Sequence, residues 1–164
     1  MRRTIRRVDK HVEVSREIKA SPEVVWAAIA DVTRMGEWSP ECHTCLWDDG
    51  FDGPATGATF TGQNRNGEFE WTTQALVTDS VPGQRFAFDG VFGELHFSKW
   101  AYDIEPTDAG CRVTESWDEG RPDNIIEYTK SISGVDDRGA HNRKGMEETL
   151  ARLAAAVEES PAGE

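Results

Sequence analysis

The sequence of 164 residues is poor in cysteine and methionine, with three of each, and holds no apolar run of the length a membrane helix requires. A spanning helix needs ~18 or more consecutive apolar residues, so a helical transmembrane reading is excluded. Three cysteines are too few for the disulfide framework of a small secreted domain. Also missing are a G-x-G-x-x-G opening a helix, a phosphate loop and a G-x-S-x-G. Dinucleotide, nucleotide and serine-hydrolase readings therefore lack their minimal parts.

Basic residues are scarce too. Eighteen Lys and Arg stand against thirty Asp and Glu, for a formal net charge of −12. Arg2, Arg3, Arg6, Arg7 and Lys10 against Asp9 put +4 into the first ten residues, which leaves −16 for the rest. An acidic body repels phosphate backbones, so no nucleic-acid partner is expected. Arg7-Val8-Asp9-Lys10-His11 stands where an export signal would carry its apolar region, so a cytoplasmic protein is expected. The length fits one domain. The expected organisation is a basic arm at 1–10, a domain at 11–159 and a tail at 160–164.

Aromatic residues, by contrast, are plentiful: six Trp, seven Phe and two Tyr. Large rings fill cores and also line cavities for flat or greasy ligands. His11 to Ala20 alternates apolar and polar residues, as a half-buried strand does. Ser21-Pro22-Glu23 then has the residue types of a helix start: a capping hydroxyl, a proline at the first position and an acid at the positive end of the dipole. Gly36 and Ser39-Pro40 break this region into two short helices ending near Trp38. Six strands follow, at Cys42–Asp48, Ala58–Asn64, Phe69–Val81, Arg85–Asp89, Leu95–Glu105 and Cys111–Asp118, separated by glycine-containing turns. A short helix at Ile125–Ser133 precedes a long one from about Arg138 to Glu159. Its stripe of Met146, Leu150, Leu153, Ala154 and Val157 must be buried, and the concave face of a curved antiparallel sheet is the surface available.

This order, with KASPEVVWAAIADVTRMGEWSP near the start, WAYDIEPTDAGCRVTESW in the later strands and the closing helix, resembles the START-like helix-grip (SRPBCC) superfamily in its polyketide cyclase/dehydrase-like branch. The resemblance implies an α+β helix-grip fold, with a curved seven-stranded antiparallel sheet wrapped around a long C-terminal helix and two short helices after the first strand. It also implies a cavity between sheet and helix for a small, mostly apolar molecule. It names no reaction, since the superfamily mixes carriers, sensors, cyclases and interaction modules. Aromatase/cyclase members resemble this chain around Phe69-Glu70-Trp71. They carry an Arg shortly after the Trp and a Tyr after the first helical region, whereas this chain has Gln74 and Ala75 in the first place and a Tyr-free Cys42–Trp47 in the second.

Strand alternation nominates the lining. Trp71 and Thr73 share a face with Phe69, Ala75 and Val77, while His96, Ser98, Trp100, Tyr102 and Ile104 share another. Val113, Glu115 and Trp117 share a third. On the last helix, stepping back about 100° per residue from Met146 brings Asn142 and Gly139 toward the stripe and His141 to its flank. The expected ligand contacts are Trp38, Trp71, Thr73, Trp100, Tyr102, Glu115, Trp117, Asn142 and Met146, with Gly139 making room. Glu115 among rings would have its pKa raised by desolvation, which makes Glu115 and His96 the candidate acid/base residues if a reaction is catalysed. The alternative for each is a paired, structural role.

Cys42-His43-Thr44-Cys45 is a C-x-x-C. Redox or zinc chemistry needs both sulfurs on one side, but residues i and i+3 of an extended strand point to opposite faces. No second C-x-x-C or H-x₃₋₅-H completes a metal site, so two ordinary thiols and no metal are expected. The leading reading is binding of a hydrophobic or aromatic ligand, polyketide-like or lipid-like, without a cofactor. The alternative is a cyclase or dehydratase in the same cavity, and a homodimer is compatible with either.

Overall fold

A computed structural model describes residues 8–158. Most of the expected basic arm and the expected tail at 160–164 lie outside them. Strand β1 (His11–Ile18) leads into helix α1 (Pro22–Ala30) and a 3₁₀ turn (Val32–Glu37). Strands β2 (Cys42–Trp47), β3 (Thr59–Asn66), β4 (Phe69–Val81), β5 (Arg85–Phe92), β6 (Leu95–Thr107) and β7 (Gly110–Glu119) follow, then helices α2 (Asp123–Ser133) and α3 (Arg138–Glu158). The strands form one antiparallel sheet in the order β1-β7-β6-β5-β4-β3-β2. Strands β2 to β7 run as a meander, and β1 closes onto β7.

The local chemistry accounts for these elements. Ser21 Oγ accepts from the Val24 N–H at 3.2 Å to cap α1, with Pro22 at its first position. The Trp26 indole pins α1 to the sheet by donating to the Arg85 carbonyl at 3.0 Å. Asn66 pairs with Phe69 across a two-residue turn in which Gly67 has φ +58°, a conformation that side chains with a Cβ disfavour. Helix α3 runs alongside β1 and packs chiefly on it, with further contacts to β7 and α1. Its Met146, Leu150, Leu153, Ala154 and Val157 are all buried, as the stripe requires.

Three bulges interrupt the ladders, and two of them shift the faces that alternation assigns. In β4 the register slips at Thr78, past the inward-facing Ala75 and Val77. In β6, Ser98 pairs with Gly90 but His96 pairs with Val91, which makes Phe97 the extra residue. Expected inside, His96 is thereby turned to the outer face, where it is exposed and its Nδ1 lies 2.7 Å from Asp89 Oδ2. Phe97 takes the inner side instead. In β2 the slip falls between Cys42 and Thr44, and one extra residue cancels the opposition of i and i+3. The expectation that the two thiols face apart is corrected accordingly: their sulfurs lie on one side, 3.0 Å from each other.

Candidate ligand site between sheet and helix

Cross-strand register orders the inner face into rows. Tyr102 pairs with Glu115 and Trp100 with Trp117 across β6 and β7, and β1 adds Val14 beside Glu115 and Val12 beside Trp117. Trp117 is 2% exposed and packs with Val12 and Met146, and half-buried Trp100 packs against this group. Met146 on α3 therefore sits at the level of Trp117. Glu115 lies two residues along β7, about 7 Å toward the far end, and Asn142 lies one helical turn, about 6 Å, toward the near end. Glu115 and Asn142 thus lie on opposite sides of the packed Trp117–Met146 contact, roughly 13 Å apart along the strand direction.

The Tyr102 phenol donates to Glu115 Oε1 at 2.9 Å, and both residues are buried. Glu115 Oε2 is buried with no hydrogen-bond partner, and so is Asn142 Nδ2. Burial pushes the Glu115 carboxyl up to about 8, against the lowering effect of the Tyr102 bond. Glu115 is therefore mostly protonated near neutrality, with a carboxylic acid face presented to the interior. Burial also raises the Tyr102 phenol well above its ordinary range, with the nearby Glu115 charge adding to it.

Beyond Trp100 and Trp117, on the side away from Glu115, the inner face of the sheet is made of small side chains. Gly62 pairs with Thr73, Ala75 with Gly90, and Gly90 with Ser98, a path of small residues from β3 to β6. Phe97 lies over Gly90, where an added Cβ would come within 2.5 Å of its ring. Trp71, Thr73, Phe97 and Trp100 are only half-buried although they stand on the inner face. Because α3 packs mainly on β1 and β7, this floor lies to one side of the helix contact.

The Asn142 end carries a polar bracket. Arg138 Nη1 lies 2.9 Å from each carboxylate oxygen of Glu41, and His141 Nε2 lies 2.7 Å from Glu41 Oε2. Burial acts to raise Glu41, but its bonds to His141 and Arg138 outweigh it and the net shift is downward. The Arg138 guanidinium also stands 5.9 Å over the Trp71 ring, so the start of α3 is tied to β4 and, through Glu41, to the residue just before β2. Arg138 Nη1 lies 3.4 Å from Asn142 Oδ1, which orients that amide with its NH₂ turned away.

The structure thus gathers Trp71, Thr73, Trp100, Tyr102, Glu115, Trp117, Asn142 and Met146 on the inner side. Trp38 is 3% exposed within the main core, its ring under the Arg34 guanidinium at 5.0 Å. Gly139 makes room for the Asp9 backbone, whose carbonyl oxygen would lie 2.6 Å from an added Cβ, and not for a ligand as expected. Phe97, Arg138, Glu41 and the paired thiols escaped the alternation pattern because bulges and long-range ion pairs place them. A polar depression of about 320 Å³ is walled mainly by outer-face residues, among them Arg85, Asp89, Lys99 and Asp118. Among the described residues, no cluster of His, Cys, Asp and Glu assembles a metal site.

The family described as polyketide cyclase / dehydrase and lipid transport matches residues 9–158. The chain belongs to that family. The polyketide cyclase-like protein Cgl2372 from Corynebacterium glutamicum is 34% identical, with 94% of this chain and 96% of that one covered and a TM-score of 0.61. Two more distant structures share the fold alone. Protein CV1439 from Chromobacterium violaceum has a TM-score of 0.70 at 19% identity, over 93% of this chain and all of that one. The di-domain ARO/CYC StfQ of the steffimycin biosynthetic pathway has a TM-score of 0.69 at 13% identity, over 92% of this chain and 51% of that one. A comparison with curated proteins finds no match. Among the described residues no helix is long and apolar enough to cross a membrane.

Proposed function

We propose that this protein binds a small, elongated, mostly apolar aromatic molecule between the inner face of the sheet and α3. The ligand would bear an oxygen acceptor at each end or one at the Glu115 end. The carrying observation is the pair of buried polar atoms without partners, Glu115 Oε2 and Asn142 Nδ2, on the inner side of the sheet near the half-buried Trp71, Phe97 and Trp100. Native interiors leave few such atoms unpaired, because each costs about 1–3 kcal/mol. In this reading the protonated Glu115 donates to the ligand at one end and the Asn142 amide donates at the other. Trp71, Phe97 and Trp100 supply flat apolar surfaces, and the ligand would have to displace the Phe97 ring from over Gly90 to reach the small residues beneath it. Family membership and the ARO/CYC likeness of the fold support a ligand of this chemical kind.

A second reading, turnover of the ligand, rests on the Tyr102–Glu115 pair. A carboxyl lifted to about 8 beside a phenol at 2.9 Å can give a proton to a carbonyl oxygen and recover one near neutral pH. His96 takes no part in it, since it stands on the outer face.

Native mass spectrometry of protein purified from its own host tests the binding reading, and a retained small molecule is the expected result. Glu115→Gln separates the two readings. The amide keeps the shape and the donor, so binding persists under both, whereas conversion of the ligand is lost only if Glu115 transfers a proton.

A further inference from the structure

Strand β2 brings two of the chain's three cysteines together by a device that alternation alone would not produce. The extra residue between Cys42 and Thr44 sets both thiols on the inner side, with Sγ atoms 3.0 Å apart. The bulge is held by its surroundings. The 3₁₀ turn lies so close that a Cβ on Gly36 would come within 2.1 Å of the His43 carbonyl oxygen. Across the strand pair stands Gly62, where a Cβ would meet Cys42 Sγ at 3.0 Å and Cys45 Sγ at 3.3 Å. A side chain at 62 would crowd the sulfurs, and its absence leaves them a cradle.

We propose that Cys42 and Cys45 form a reversible, redox-active dithiol/disulfide pair on the inner wall of the grip, exchanging with low-molecular-weight disulfides. The two cysteines divide the roles that such exchange needs. Cys42 is half-buried and within reach of solvent, while Cys45 is 2% exposed. A hydrogen bond from Cys45 stabilises the Cys42 thiolate and pulls its pKa down, against burial and the charge of Glu41. The same bond, with burial, pushes Cys45 up. Cys42 is thus the attacking sulfur and Cys45 the resolving one. In the first step the Cys42 thiolate attacks a disulfide RSSR, forming a Cys42–SR mixed disulfide and releasing RS⁻. Cys45 then gives up its proton and attacks Cys42 Sγ, which forms the internal disulfide and releases a second RS⁻. The chain is oxidised by two electrons, and RSSR is reduced to two RSH. The pair adjoins Thr73 across Gly62 on the inner face. The proposal stands whether or not the interior binds a ligand.

The test equilibrates the full chain in glutathione buffers from fully reduced to mostly oxidised, followed by acid quenching, intact mass and thiol counting after denaturation. The expected result is a single transition from three free thiols to the one of Cys111, with the mass of the monomer lowered by ~2 Da. Cys45→Ser should accumulate one glutathione adduct on Cys42. Cys42→Ser should accumulate none, because the remaining sulfur of the motif is buried. Cys111→Ser should show the wild-type transition, and its far-ultraviolet spectrum serves as the folding check for all three. Three free thiols across the whole buffer range would overturn the proposal. So would glutathione added to both cysteines without ring closure, or a stoichiometric metal that holds the thiols and blocks oxidation.

Discussion

Tyr102 and Glu115 face each other across β6 and β7 with a 2.9 Å hydrogen bond, and the second carboxyl oxygen of Glu115 is left buried without a partner. The carboxyl is thereby held as an acid in a site where a carboxylate would be costly. Its stability consequence has a definite sign. The folded pKa, about 8, lies above the ordinary 4.5, so between these values the folded chain binds more protons than the unfolded one. Stability falls as pH rises through that window, and the cost is fully present above it. Glu115→Gln should therefore be more stable than wild type at pH 9, by on the order of a few kcal/mol, and nearly equal to it at pH 4. Urea denaturation at the two pH values checks this.

A second buried carboxyl behaves in the opposite way. Glu119 and Arg121 form a two-bond pair at 2.7 and 2.8 Å, with side chains only 6% and 11% exposed. Burial acts to raise Glu119, but the Arg121 bonds win and hold it below the ordinary range. Arg121→Ala leaves a buried charge unpaired and should cost about 3–5 kcal/mol at pH 7. The penalty should shrink as pH falls and Glu119 takes up a proton, which chemical denaturation at pH 7 and pH 4 would show.

Two glycines of α3 predict opposite outcomes for one substitution. Alanine gains up to ~1 kcal/mol over glycine inside a helix. At Gly145 the nearest atom to an added Cβ is Pro40 Cγ at 3.5 Å, an ordinary contact, so Gly145→Ala should stabilise. At Gly139 the Cβ would stand 2.6 Å from the Asp9 carbonyl oxygen, and Gly139→Ala should destabilise by about 1–3 kcal/mol despite its propensity. Thermal melts of the two variants beside wild type decide the signs.

Trp117 is a packing residue first. Its ring lies against Val12 and Met146 at 2% exposure, so Trp117→Ala should lose about 3–5 kcal/mol. Trp100→Ala, at a half-buried ring, should lose less stability and more of any aromatic-ligand binding. Denaturation and tryptophan quenching measured on the same two variants separate the effects.

The glycine-punctuated run of alternating segments and the 3–4 spacing of Met146, Leu150, Leu153 and Val157 made the sheet, its meander and the closing helix readable from sequence. Pairs two residues apart within an unbroken strand were equally legible, which is why Tyr102, Glu115 and Trp117 arrive where alternation puts them. The bulges were not. A single inserted residue at Phe97 reverses His96, and another after Cys42 turns two divergent thiols into neighbours, yet neither insertion leaves a local mark. The contact of Gly139 with Asp9 and the Glu41–Arg138–His141 bracket join segments distant in the chain, so only the fold brings them together.

The pH dependence of aromatic-ligand affinity tests the central claim most directly. A neutral naphthyl ketone titrated into wild type and Glu115→Gln, followed by tryptophan fluorescence, reads the Glu115 donor itself. Saturable quenching is expected for both proteins at pH 6.5. Between pH 6.5 and pH 9.5 the wild-type Kd should rise roughly tenfold, about 1.4 kcal/mol, as the buried acid loses its proton, while that of Glu115→Gln stays flat. No saturable quenching in either protein, or the same pH profile in both, would contradict the account.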